Sequence, residues 1–368
     1  MAYGTISADV IQSSVTGVSL GAGNATVFKN RIINGDMRID QRNAGASVTP
    51  TNDSYTLDRW QAYASAASKF TIQQNAGSVT PPVGFINYLG VTSSSAYSVT
   101  SSDNFGVVQN IEGLNCADLG WGTANAKTIT ISFWVCSSLT GTFGGALRNS
   151  AGNRSYPFTY TINAANTWEY KTITIAGDTT GTWLTTNGKG INVIFGLGAG
   201  TTYSGTAGTW AAADYRSATG ATSVVGTNGA TFYITGVQFE VGSSATGFEY
   251  VNYGTQLAMC QRYFSKLNND GSGGDVALGF GMQSATTTAV MYIKYPITMR
   301  TEPTATASNI ATGDFVNFTV DSTLNSIQPG YDSASVTVAF ASTGAQLRPV
   351  ALLIRNNTSG YLALSAEL

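Results

Sequence analysis

Few residues in this sequence are equipped for covalent chemistry. None of its 368 residues is histidine. That removes Ser-His-Asp and Cys-His catalysis, histidine-ligated metals and the commonest general base. A glycosidase needs only two carboxylates. Glu112 with Asp118, or Glu169 with Glu240, could approach each other, but no spacing singles out a pair. The three cysteines, Cys116, Cys136 and Cys260, are odd in number and widely spaced, so reduced buried thiols are expected rather than disulfides or a zinc site. The 42 glycines are scattered and form no phosphate loop or dinucleotide fingerprint. The expectation is a protein that is not an enzyme.

Binding chemistry is better represented. Between Gly198 and Gly229 runs a long Gly-, Ala- and Thr-rich stretch whose large residues are Tyr203, Trp210 and Tyr215. Loops of that length often carry function. Aromatic rings on them can stack on the C–H faces of sugars, or can simply pin the loop down. Trp134 lies in Lys127–Ser137, where Ile129, Ile131, Phe133 and Val135 alternate with Thr130, Ser132, Trp134 and Cys136. The aliphatic face must point to a core. Trp134 is on the other face, as a sugar platform or beneath a loop.

Elements must hold these residues in place, and the pattern is all-β. Strand-like runs occur near Phe70–Gln74, Phe85–Val91, Phe105–Ile111, Thr142–Asn149, Tyr156–Ile162, Trp168–Ile175, Asn192–Leu197 and Thr231–Val241. They are enough for a large antiparallel jelly-roll sandwich over residues 30–252. Within Asn30–Asn43 a first strand is expected around an Asn34-Gly35 turn signal. In Leu57–Trp60, an Asp58–Arg59 ion pair covered by Trp60 is expected, with the indole in the core. Leu257, Cys260 and Phe264 then fall on one face of a short helix, giving a helical joint over 253–267. Residues 268–368 read as a smaller C-terminal β-sandwich, with strands near Asp275–Gln283, Thr286–Lys294, Phe315–Val320, Ser335–Ala341 and Val350–Arg355. Residues 1–29 form an apolar arm with no period, as expected of a segment that packs on a partner.

Charged residues make up 10% of the chain and the net charge is -2. The absence of a basic stripe disfavours nucleic acid. A Ser-, Thr-, Asn- and Gly-rich surface suits neutral sugars and oligomer contacts alike. No run reaches the roughly 18 apolar residues of a membrane span, and the first residues lack the pattern of a signal peptide.

Several blocks carry a resemblance: FKNRIINGDMRIDQRNAG from Phe28, LDRW from Leu57, TITISFWV from Thr128, ITGVQFEVG from Ile234, and SAEL from Ser365. They resemble bacteriophage tail-fibre-like proteins, whose jelly rolls are similar to carbohydrate-binding modules. The resemblance implies a virion protein assembled in host cytoplasm, on the tail rather than the head. It further implies a homotrimer, attachment to other virion proteins through residues 1–29, and contact with host surface polysaccharide. A head fibre or capsid decoration protein, or a polysaccharide depolymerase, are the alternatives. It also implies a structural Ca²⁺ at Asp36 and Glu240, although ordinary ion pairs or backbone hydrogen bonds would equally occupy those two carboxylates.

Overall fold

Along Ile129–Ser137 the alternation turns Ile129, Ile131, Phe133 and Val135 inward, and all four are fully buried. The computed structural model describes residues 28–269, 274–313, 318–321, 326–339 and 347–368; most of the proposed arm lies outside them. The first domain is a jelly-roll sandwich of two antiparallel sheets. One sheet holds Tyr55–Leu57 (β1), Trp60–Ala64 (β2), Asn104–Glu112 (β5), Lys189–Ala199 (β10), Gly141–Asn149 (β7) and Ser155–Ile162 (β8), in that spatial order. The other holds Phe70–Gln74 (β3), Leu89–Ser93 (β4), Thr231–Val241 (β13), Ile129–Ser137 (β6) and Glu169–Ile175 (β9). A short parallel pair, Ser204–Gly205 (β11) and Ser217–Ala218 (β12), lies in the long loop. Trp60, Phe133, Phe158, Phe195 and Phe239 fill the space between the sheets. The Phe133 and Phe195 rings meet edge-on at 5.0 Å, a favoured aromatic geometry.

Two local readings are corrected. Asn30–Asn43 forms turns rather than a first strand. The Asn34 side chain donates to the carbonyls of Ile39 (2.8 Å) and Asp58 (3.0 Å), and the Trp60 indole donates to the Asn34 carbonyl (3.0 Å). These bonds replace a strand ladder. A Cβ on Gly35 would sit 2.2 Å from the Val237 carbonyl oxygen, so only glycine lets the turn approach β13 so closely. The Phe85–Val91 strand begins only at Leu89; before it Gly84 has φ +94 and the chain turns outward.

After β13 the helix α1 spans Tyr253–Gln261, capped by the Asn252 side chain, which accepts from the Gly254 amide (3.0 Å). The joint is shorter than the sequence indicated. Phe264 leaves the helix and opens Phe264–Asn268 (β14), which pairs with Tyr361–Ser365 (β23), itself paired with Thr304–Ser308 (β17). A seven-stranded sheet completes the second domain. Its spatial order is Phe318–Asp321 (β19), Ile310–Gly313 (β18), Pro349–Ile354 (β22), Val276–Ala285 (β15), Thr288–Lys294 (β16), Ser333–Ala339 (β21) and Ser326–Pro329 (β20). The Phe315–Val320 reading falls partly outside the described residues. Its own core holds Met291, Ile293, Val336, Val338, Leu352, Ile354 and Leu364.

The last residues return to the first domain. Glu367 binds Arg42 (2.7 Å) and the fully buried Arg59. Arg300 donates to the carbonyls of Ala366 and Glu367, both at 2.8 Å, and Tyr55 donates to the carbonyl of Leu368 (2.8 Å). Arg59 also lies over the Tyr263 ring at 3.6 Å, and Arg262 binds Glu112 at 2.7 Å. The expected Asp58–Arg59 pair is therefore not formed. Arg59 has φ +72 and turns its guanidinium to Glu367.

Asp58 is buried instead against Gln41, whose amide (2.7 Å) and side-chain nitrogen (2.6 Å) donate to its two oxygens. Burial pushes its carboxyl from the ordinary 3.8 up to about 7, against the pull of Arg42 and the Gln41 donors. A folded pKa above the unfolded one favours folding below about pH 4, and that contribution is lost as pH rises through about 7. Stability is expected to fall across that window by on the order of 2–4 kcal/mol from this residue. Asp58→Asn will flatten the decline, as read by denaturant melts at successive pH values; an unchanged slope contradicts the assignment.

Candidate functional site

Trp134 leaves β6 on the outer face of the five-stranded sheet, half-buried. Strand register places Tyr170 of β9 directly beside it, with ring centroids 5.4 Å apart. On its other side β13 carries a bulge between Thr235 and Gln238. Gly236 occupies that bulge at φ +61, and a Cβ there would meet the Phe85 ring at 2.6 Å and the Trp134 ring at 3.2 Å. The glycine thus lets Phe85 lie across the strand. Phe85 packs against Phe248 (5.1 Å) and Tyr250 (5.7 Å), which themselves meet at 5.0 Å. The result is an open groove of about 560 Å³ lined by Trp134, Tyr170, Phe85, Phe248 and Tyr250. That volume lies within the roughly 300–1,000 Å³ of small-ligand sites.

The rim loop that supplies Phe248 and Tyr250 is folded by Glu240. Its two oxygens accept from the Thr246 amide (2.8 Å) and hydroxyl (2.7 Å), and Gln238 donates to it at 2.8 Å. Gln238 in turn accepts from the Glu249 amide (2.9 Å). Asp36 faces Arg38 in an ion pair, and burial raises its carboxyl above the ordinary value despite that guanidinium. Calcium needs six to eight oxygens. Both Glu240 oxygens accept protein hydrogen bonds, whereas Asp36 meets Arg38 through one oxygen and its Oδ1 is buried without a hydrogen-bond partner; no cluster of three or more acidic, cysteine or histidine side chains that could hold a metal occurs among the described residues. These surroundings do not fit a calcium ion.

The long-loop aromatics lie elsewhere. Trp210 is half-buried, its indole nitrogen donating to the Ala176 carbonyl (2.9 Å) and its rings meeting Trp121 (5.4 Å), Trp183 (5.5 Å) and Tyr156 (5.1 Å). Tyr215 lies over Gly205. Tyr203 is stacked by Arg216 at 4.3 Å. Trp210 ties the loop to Tyr156 of β8, Tyr203 and Tyr215 pack within the loop itself, and none of the three lines the groove with Trp134.

The four carboxylates that could have formed an acid–base pair are engaged separately. Glu112 accepts from Arg262 and Tyr263, and Asp118 from Arg31 (2.8 Å). Glu169 accepts from Lys171 and the Asn163 and Ala164 amides, which hold its carboxyl down at about 2. No acidic side chain lines the groove. The three thiols are free and buried; burial pushes Cys116 up to about 12 and Cys136 to about 11, so both stay protonated. Among the described residues no helix is long and apolar enough to cross a membrane.

Sequence reasoning missed Phe85, Tyr170, Phe248 and Tyr250. Strand parity held a signal for Tyr170, which shares the outward face of β9 with Thr172 and Thr174. The rim residues required the fold.

No family model matches the chain, and no curated protein matches it by sequence. Solved structures share its sandwich at low similarity. The enzymatically active domain of bacteriophage CBA120 tailspike protein 4 aligns over 58% of this chain at 12% identity and a TM-score of 0.32. The alignment spans only 21% of the tailspike chain. A putative sugar-binding protein from Bacteroides thetaiotaomicron aligns over 58% of this chain and 99% of its own, at 13% identity and a TM-score of 0.33. A family 11 carbohydrate-binding module from Clostridium thermocellum, in complex with a mixed-linked tetrasaccharide, gives 54%, 97%, 12% and 0.27 for the same quantities. Likeness at this level bears on neither ligand nor activity.

Proposed function

We propose that this chain is a non-enzymatic virion protein, a tail fibre or tail-associated protein, that contacts host surface glycan through the groove at Trp134. The groove itself carries the reading. Five aromatic rings line an open trough with no charged side chain in its lining. Flat rings present apolar faces to sugar C–H groups, and an uncharged lining imposes no desolvation penalty on a neutral saccharide. Carboxylates already committed to arginine, lysine and backbone donors leave no acid–base pair at the groove, which supports binding without cleavage. The tail-fibre-like blocks at 28–45 and 234–242 support a place on a virion, with residues 1–29 as its attachment arm. Trimeric assembly would turn weak single-site contacts into firm attachment.

The test is retention on purified host surface polysaccharide. The protein is expected to be held, to be released by excess soluble polysaccharide, and to leave its chain length unchanged. Release of oligosaccharide would contradict the non-enzymatic reading; absence of retention would contradict the glycan.

A further inference from the structure

Two polar groups in the lining of the groove are unanswered by the protein. The chain has six tryptophans. Five indole nitrogens donate to protein oxygens: Trp60 to Asn34, Trp121 to Lys127, Trp168 to Thr80, Trp183 to Asp178 and Trp210 to Ala176. Trp134 is the sixth, and among the described residues its indole N–H has no partner. The pyrrole edge of this ring lies toward Gly236, where a Cβ would stand 3.2 Å from Cδ1, and Gly236 also lines the groove.

Ser132 precedes Trp134 by two residues on the same face of β6, about 7 Å along the strand. It lines the groove although it is only 2% exposed. Among the described residues its hydroxyl has no protein partner either. Its cross-strand neighbours are Gln238 and Thr172. Gln238 is tied to Glu240 and the Glu249 amide, and Thr172 is exposed. The other small hydroxyl of the lining, on Thr246, is held by Glu240. Tyr170 and Tyr250 are exposed, so water reaches their hydroxyls. Ser132 differs from them: a recessed hydroxyl without a partner carries a desolvation cost that a ligand can remove.

We infer that Ser132 and Trp134 select a sugar bearing a 2-acetamido group. At 2% exposure Ser132 is reached by a substituent and not by a sugar ring. The acetamido carbonyl accepts from the Ser132 hydroxyl, its methyl lies on the Trp134 ring, and the indole N–H donates to a neighbouring sugar hydroxyl. A plain hydroxyl at the same carbon supplies one hydrogen bond and leaves the aromatic surface beside it uncovered. An ammonium there would enter a lining that holds no counter-ion. The inference rests on the glycan reading above and names the sugar that reading leaves open.

Three sugars that differ at one carbon test it: N-acetyl-D-glucosamine, D-glucose and D-glucosamine, the last at slightly acid pH where its amine is charged. Each is titrated into the isotope-labelled full chain, and nuclear magnetic resonance follows the indole N–H signals, with Trp134→Phe identifying the one from Trp134. N-acetylglucosamine is expected to bind about tenfold more tightly than the other two, the net worth of about one hydrogen bond, and to move the Trp134 signal. Ser132→Ala removes no protein hydrogen bond, so its thermal melt is expected to match the parent while the preference for the acetamido sugar disappears. Equal affinity for N-acetylglucosamine and glucose overturns the inference and leaves the glycan reading standing. A preference that survives Ser132→Ala overturns the role of Ser132, and binding that moves another indole in place of Trp134 overturns the site. Equal binding of glucosamine overturns the argument from the uncharged lining. Absence of N-acetylglucosamine binding also overturns the inference, and retention on host polysaccharide then judges the glycan reading separately.

Discussion

Glu367→Ala will lower the stability of the whole chain by about 3–5 kcal/mol, the usual cost of leaving one member of a buried ion pair unpaired. Arg59 is 1% exposed, and Glu367 is its carboxylate partner. Without it the guanidinium keeps the Tyr263 ring and the Asn110 carbonyl, neither of which neutralises its charge. Glu367 also holds Arg42, which lies over the Phe264 ring at 3.6 Å, so one substitution loosens both flanks of the junction. Denaturant unfolding is expected to split, with the second domain releasing first. Adding Arg59→Met to Glu367→Ala should recover much of the loss, because the stranded charge goes with it. A single variant within about 1 kcal/mol of the parent would mean that the junction is solvated and the pair contributes little.

Trp210→Ala will cost about 2–4 kcal/mol, somewhat below the range for a fully buried tryptophan because this one is half-exposed. The loss combines three edge-on contacts, with Trp121, Trp183 and Tyr156, and the hydrogen bond to the Ala176 carbonyl. The long loop covers the outer face of the six-stranded sheet, so its release also exposes Tyr63 and the side chains clustered with it. Thermal melts measure the effect. At temperatures where the variant stays folded, its binding of polysaccharide is expected to match the parent. A normal melt with lost binding would make Trp210 a ligand contact and not a pin.

Strands whose apolar residues alternate with polar ones were legible in the sequence. Ile129–Val135 and Thr231–Val241 show why, since β-branched and aromatic residues alternate there with smaller polar ones. β2 was not legible, because Trp60–Ala64 is buried on both faces and shows no alternation. The helix ended earlier than its apolar spacing indicated, because Phe264 is claimed by pairing with Ser365 of β23, at the far end of the chain. Strand parity was enough to mark Trp134 as an outward aromatic. Its wall partners depend on which strands pair, on a bulge at Gly236, and on a rim loop folded by Glu240, and no local pattern records those. The same holds for Glu367, whose partner Arg59 lies at the other end of the chain.

One titration tests the aromatic groove as the glycan site directly. Host surface polysaccharide should be titrated calorimetrically into the parent protein and into Trp134→Ala, with a thermal melt of each. Loss of this ring is expected to remove about 2 kcal/mol or more of binding, a drop of about thirtyfold, while the melt shifts little because Trp134 lies on the outer face. Equal affinity in the two proteins would contradict the groove as the glycan site.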